Sequence, residues 1–158
     1  MKSVLLSAML VVLLTQPAHA APPDDISIYA VSLVGSPYRL GGTSPETGLD
    51  CSGFVDHVFR QIIGVKLPHD SLAISESTQA LDRADLQPGD LVFFNTLDHA
   101  FSHVGIYLGD DRFVHATSSR TGSVMVSRLS DHYWRERFDG ARRVALPAGL
   151  SATIASFE

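Results

Sequence analysis

The chain has 158 residues, 45% of them apolar, with 12 glycines, 8 prolines and a single cysteine. That is one domain's length, enough for a core that hides about 70% of the unfolded surface, and 18% charged residues exclude a polyelectrolyte tail or a solvated coiled coil. A formal net charge of −5 argues against a DNA- or RNA-binding surface, and one cysteine excludes an intrachain disulfide and zinc sites built from several cysteines.

Lys2 precedes an apolar run from Val4 to Leu14, broken only by Ser7, and Ala18-His19-Ala20 supplies a small-x-small ending. This reads as a secretory signal peptide cut after Ala20. The run is short of the roughly 17–25 residues a membrane span needs, and residue 21 is Ala, so no lipid is attached at a mature N-terminal cysteine. The expected organisation is a signal peptide over 1–20, one folded domain over 21–146 and a mobile tail over 147–158. The expected product is an exported monomer, periplasmic or secreted, with no stable membrane anchor after processing. Its compartment is oxidising, where a lone thiol is either buried and inert or wanted for chemistry.

Asp24-Asp25 opens a helical pattern through Ile26, Tyr29, Ala30, Leu33 and Val34 that stops at Gly35. Residues 41–50 are rich in Gly, Thr, Ser and Pro and read as loop. A second helix begins at Asp50 or Cys51. Its stripe of Phe54, Val55, Val58, Phe59, Ile62 and Ile63 faces the core, and Gly64 ends it. A short third helix starts near Asp70-Ser71, with Asp70 able to cap it.

From Pro88 the pattern changes. Strands are predicted at Leu91–Phe94, His103–Leu108, Phe113–Ala116, Val124–Ser127 and Arg142–Leu146, with 95–101 as a loop. Helices followed by an antiparallel sheet make an α+β order.

Cys51 falls at the first turn of a core helix. The partial positive charge there favours a thiolate, so a lowered thiol pKa would mark an enzyme. Asp50 can cap the helix, Gly53 permits close approach of backbone or substrate, and the Cys51 N–H is a candidate oxyanion donor. A thiolate nucleophile wants an imidazole partner. His57 is six positions along the same helix, on another face, and reads as a surface histidine. His103 opens a strand on the face opposite Val104 and Ile106, and His115 lies in the next strand. If His103 pairs directly with His115, across an odd-length loop centred on Gly109, both share one face. They then suit a base and the group that fixes its tautomer. A metal site at His99, His103 and His115 lacks a compact ligand motif. Tyr133 and Trp134 read as packing residues.

Several segments resemble one known family. Asp50-Cys51-Ser52-Gly53-Phe54-Val55 resembles the cysteine motif of the NlpC/P60 cell-wall endopeptidases. Pro37-Tyr38-Arg39-Leu40-Gly41-Gly42 resembles the upstream tyrosine and glycine pair, and residues 86–94 are similar to the family's LxPGDLVFF segment. Residues 102–109 resemble its histidine strand, 113–116 match its third polar position, and 140–144 resemble its last strand. These segments stand in family order and cover about residues 25–145.

The resemblance implies a circularly permuted papain-like fold, N-terminal helices packed on a central antiparallel sheet. It implies peptidoglycan stem peptides as substrate, cut between γ-D-glutamate and the adjoining diamino acid, with no metal or cofactor. Cys51 would be the nucleophile, His103 the base and then acid, and His115 the orienting group. Tyr38 would support the oxyanion, and Asp50 and Ser52 would line the substrate groove. Arg39 and Arg120 are the candidates for stem-peptide carboxylates. Two other readings stay open: a catalytically silent peptidoglycan-binding or regulatory module, and an amidase or acyltransferase on the same fold.

Overall fold

A computed structural model describes residues 23–118 and 122–147. The proposed signal peptide, Arg120 and the tail beyond Pro147 lie outside the described residues. Helix α1 (Pro23–Ser32) carries Asp24 and Asp25 in its first turn, where acidic groups suit the helix dipole. Helix α2 (Cys51–Ile63) is capped by Asp50 and ends at Gly64 in the left-handed conformation, φ 70°. Helix α3 (Ser71–Glu76) is capped by the Asp70 side chain, which accepts the Ala73 N–H at 2.8 Å. The second and third stand where the apolar spacing and capping residues place them; the first stops at Ser32, and Leu33 and Val34, expected inside it, lie in the turn that leads to Gly35.

The segment read as loop holds a two-stranded hairpin, β1 (Thr43–Ser44) and β2 (Gly48–Leu49). The main sheet contains β3 (Gln79–Leu81), β4 (Leu91–Phe94), β5 (His103–Gly109), β6 (Arg112–Thr117), β7 (Ser123–Arg128) and β8 (Phe138–Arg143). Its order is β3-β8-β4-β5-β6-β7, antiparallel throughout. The last strand lies earlier than the predicted Arg142–Leu146. Leu91 at the start of β4 pairs with Arg142, so the ladder has no further partner beyond Arg143. Val144 is buried without joining the sheet. A short helix α4 (His132–Arg137), which the sequence reading did not include, buries none of its residues fully.

Alternation divides the two faces of the sheet. Leu91, Phe93, Val104, Ile106, Val114, Ala116 and Val124 pack with Phe54, Val55, Val58 and Phe59 of α2. Val92, Phe94 and Phe113 face the other way and pack with Leu129, Trp134 and Phe138. His57 is a correction: it is buried, not on the surface. Helix α1 covers that side of α2, and the Tyr29 hydroxyl sits 3.0 Å from His57 Nε2. Burial then holds the imidazole below its ordinary pKa.

Candidate active site

The site is assembled where the first turn of α2 meets the start of β5. Asp50, in extended backbone, accepts the Gly53 N–H at 2.7 Å through Oδ1. The same oxygen accepts from the Ser52 hydroxyl at 3.0 Å and from His69 Nε2 at 3.0 Å. Oδ2 accepts the Gly41 N–H at 2.9 Å. Both carboxylate oxygens therefore tie the helix start to the preceding loop. His69, which the sequence reading left without a role, belongs to this network. Ser52 is buried, and its hydroxyl is turned to Asp50 rather than to the cavity wall.

A cavity of about 550 Å³ opens over Cys51, a size ordinary for a ligand site. Tyr38, Asp50, Cys51, Ser102, His103 and Trp134 are among its walls. Leu40, Leu97 and Tyr133 also line it and are exposed, giving it an apolar rim. Among the described lining residues Asp50 and Asp131 carry charge and no Lys or Arg does. Arg39 is exposed and is not in the wall, so it does not meet the expectation of a carboxylate partner there. His99 is exposed in the 95–102 loop, its Nδ1 3.3 Å from the Ala100 carbonyl oxygen.

His103 and His115 do share one face, by a register different from the expected one. Tyr107 stands opposite Phe113 and Ile106 opposite Val114, so the two histidines are diagonal neighbours, not a direct pair. The offset is two residues, which preserves the face. Its cause is the turn. Asp110 and Asp111 both adopt positive φ, as a type I′ two-residue hairpin turn requires, Gly109 pairs with Arg112 beside it, and Leu108 is the extra, unpaired residue of a bulge. His103 Nε2 lies 2.9 Å from His115 Nδ1, with the rings edge to face. Gly105 leaves the space: a Cβ there would lie 3.1 Å from the His115 Cβ and 2.8 Å from the Phe113 ring.

Two further contacts were not singled out by the sequence. His115 Nε2 lies 3.0 Å from Ser127 Oγ. Trp134 stacks on the His103 ring at 5.5 Å between centroids and meets His115 edge-on at 4.7 Å. The tryptophan packs, as expected, but what it packs against is the histidine pair.

Electrostatics correct the expectation of a lowered thiol, so the thiol pKa does not supply the expected mark of an enzyme. Burial, and then the Asp50 carboxylate, push Cys51 up to about 11. Hydrogen bonds from the backbone of Val104, Ser52 and Cys51 pull the other way without prevailing. The Val104 bond places the sulfur beside the residue that follows His103. Burial pushes His103 down to about 4 and lowers His115 as well, the latter also because a proton on His103 would repel one on its neighbour. The resting pair at neutral pH is therefore thiol and imidazole. Tyr38 is held above its ordinary value by burial and by the negative charge that Cys51 and Asp50 carry when ionised, so its hydroxyl stays a donor. The thiol and the His103 ring share one cavity wall, the two residue types that attack by sulfur with help from a base requires.

Comparisons with known proteins agree with one another. The model of the NlpC/P60 family matches residues 35–143. The chain is 43% identical over 110 residues to "Murein DD-endopeptidase MepS/Murein LD-carboxypeptidase" of Escherichia coli K12, covering 70% of this chain and 56% of that one. It is 40% identical over 115 residues to "Gamma-DL-glutamyl hydrolase" of Bacillus subtilis 168, covering 72% of this chain and 27% of that one. A crystal structure of an NlpC/P60 family protein from Bacillus cereus superposes with a TM-score of 0.71 at 35% identity, over 80% of this chain and 41% of that one. The chain thus spans about half or less of the length of these relatives. The matched segment holds the cysteine helix and the whole histidine sheet, and the chain belongs to the NlpC/P60 family.

Proposed function

We propose that the protein is a cysteine peptidase that hydrolyses the stem peptides of peptidoglycan. The observation that carries this reading is the 2.9 Å contact between two buried histidines, the first of them in one cavity wall with the single cysteine. The names of the relatives support the substrate class.

The steps follow from the residues. The Cys51 sulfur attacks the amide carbonyl as its proton passes to the free ring nitrogen of His103, Nδ1. The oxyanion accepts hydrogen bonds from the Cys51 N–H and the Tyr38 hydroxyl. Collapse breaks the C–N bond, and His103 returns the proton to the leaving amine. His103 then takes a proton from water, which attacks the thioester and frees the carboxyl product and the thiol. His115 orients His103. Asp50 acts by fixing the helix start, with Ser52 bonded to it. Charge that develops on a His103 ring packed against Trp134 and Phe94 is screened little by water, which strengthens its contacts.

The bond we favour lies between γ-D-glutamate and the diamino acid, which accords with the glutamyl hydrolase name. The endopeptidase name of the Escherichia coli relative favours a second bond, the D,D cross-link between stems. Such a substrate lies outside the cytoplasmic membrane, which fits export by residues 1–20. Among the described residues no helix is long and apolar enough to cross a membrane.

Digestion of purified diaminopimelate-type peptidoglycan, read by mass spectrometry beside a Cys51→Ala control, tests the reading. Fragments ending in γ-D-glutamate are expected. Conversion of cross-linked dimers to intact monomers would move the bond to the cross-link. No cleavage of wall or soluble stem peptides, or undiminished cleavage by the control, would overturn the proposal.

A further inference from the structure

Residues 103, 115 and 127 form a stepped line across three adjacent strands. Each step moves one strand over and 12 residues on, and each is closed by a hydrogen bond, at 2.9 Å and then 3.0 Å. Both steps are diagonal. His115 stands opposite Met125 and Ser127 opposite Phe113, so the serine reaches the imidazole from the neighbouring same-face position.

His115 is fully buried, with one partner at each ring nitrogen. A neutral imidazole donates from one nitrogen and accepts at the other. Two arrangements therefore satisfy it. In the first, His115 carries its proton on Nε2 and donates to Ser127 Oγ. Its Nδ1 lone pair then accepts the His103 Nε2–H, and His103 Nδ1 is left with a lone pair for the thiol proton. In the second, Ser127 donates to Nε2, and His115 Nδ1–H donates to His103 Nε2. The proton of His103 then sits on Nδ1, the nitrogen left for the thiol, which has no lone pair to accept with. Base chemistry at His103 is possible only in the first.

We infer that Ser127 is a positioning residue, whose oxygen accepts the His115 Nε2–H and thereby holds the whole line in the base-competent tautomer. The inference rests on the proposed role of His103 as base. A hydroxyl suits the position because it rotates to present a lone pair. Without it, the first arrangement buries an unpaired N–H, which folded proteins rarely accept, while the second leaves only an unpaired lone pair. Removing the hydroxyl should therefore move the population toward the inactive tautomer.

The test uses Ser127→Ala and Ser127→Thr in the full chain, with two readouts. The first is kcat and KM on a soluble stem peptide. The second is the ring-nitrogen shifts of His115 in uniformly 15N-labelled protein, which give the tautomer directly and need no substrate. For the alanine variant we expect kcat to fall by up to about 100-fold, the loss that a small misplacement of a reacting group brings. KM should change little, and the His115 Nδ1 signal should move toward the protonated position. The threonine variant, which keeps the hydroxyl, should match the wild type in both readouts. An alanine variant with an unchanged tautomer would overturn the inference, whatever its kcat. If the wild-type protein proved inactive on peptidoglycan, the proposed function would fail, while the nitrogen shifts would still decide the role of Ser127 in the histidine line.

Discussion

His103→Gln should lose hydrolysis by about four orders of magnitude at pH 7, and the loss should shrink as pH rises. The thiol is held at about 11, so at pH 7 only ~1 chain in 10⁴ carries a thiolate without help from a base. In the wild type His103 shares the proton during attack, so no free thiolate has to form first, and general-base help of this kind reaches about 10⁴-fold at its upper end. In the variant the thiolate has to form first, and activity should climb about tenfold per pH unit toward the thiol pKa. A steady-state pH profile measures this; a variant with wild-type activity at pH 7, or a flat profile, would remove His103 from the reaction.

The same substitution has a separate signature in stability. The folded pKa of His103, about 4, lies below its ordinary 6.5, so on acidification the unfolded chain takes up its proton first. Stability is therefore full above pH 6.5 and falls between 6.5 and 4, by about 3 kcal/mol for this one group. His115 acts in the same sense. Denaturant melts at pH 7 and pH 4 should show a smaller acid loss in His103→Gln than in the wild type.

Gly53→Ala should disable the site while sparing the fold. The backbone of Gly53 is helical and tolerates alanine, but the space does not. An added Cβ would lie 2.0 Å from the Gly42 carbonyl oxygen, 3.0 Å from His69 Nε2 and 3.1 Å from Asp50 Oδ1. Gly42 O also accepts the Asp50 N–H at 3.1 Å, so the methyl group pushes apart the loop and the helix start that together seat Cys51. Overpacking of this kind costs about 1–3 kcal/mol. Displacing the sulfur by a fraction of an ångström to an ångström costs activity on the order of 100-fold. Melting and hydrolysis rates measured on the same preparation separate the two effects. Unchanged hydrolysis would show that the helix start does not set the geometry of the thiol.

What was readable in the sequence is what depends on local spacing. The stripe Phe54, Val55, Val58, Phe59 gave the core helix, and Asp50 and Gly64 gave its ends. Alternation put His103 on the face away from Val104 and Ile106, and that parity survived the wrong register. The register itself depends on the positive φ of Asp110 and Asp111, which a Gly-Asp-Asp triplet does not assign uniquely. Helix α4 shows no apolar stripe, and Gln79–Leu81 is too short to carry a pattern. Ser127 is a polar residue on a half-exposed strand, and only the fold brings it to His115. Burial misled the electrostatic reading most: a helix start favours a thiolate, but the depth of Cys51 and the charge of Asp50 outweigh it.

The most direct measurement exploits the fact that the chain has one cysteine. Aliquots carried to increasing extents of carbamidomethylation, quantified by intact mass, would each be assayed for release of soluble fragments from purified peptidoglycan. Hydrolysis should fall in direct proportion to the alkylated fraction and reach zero at one adduct per chain. A fully alkylated protein that still released fragments would contradict the assignment of Cys51 as the nucleophile.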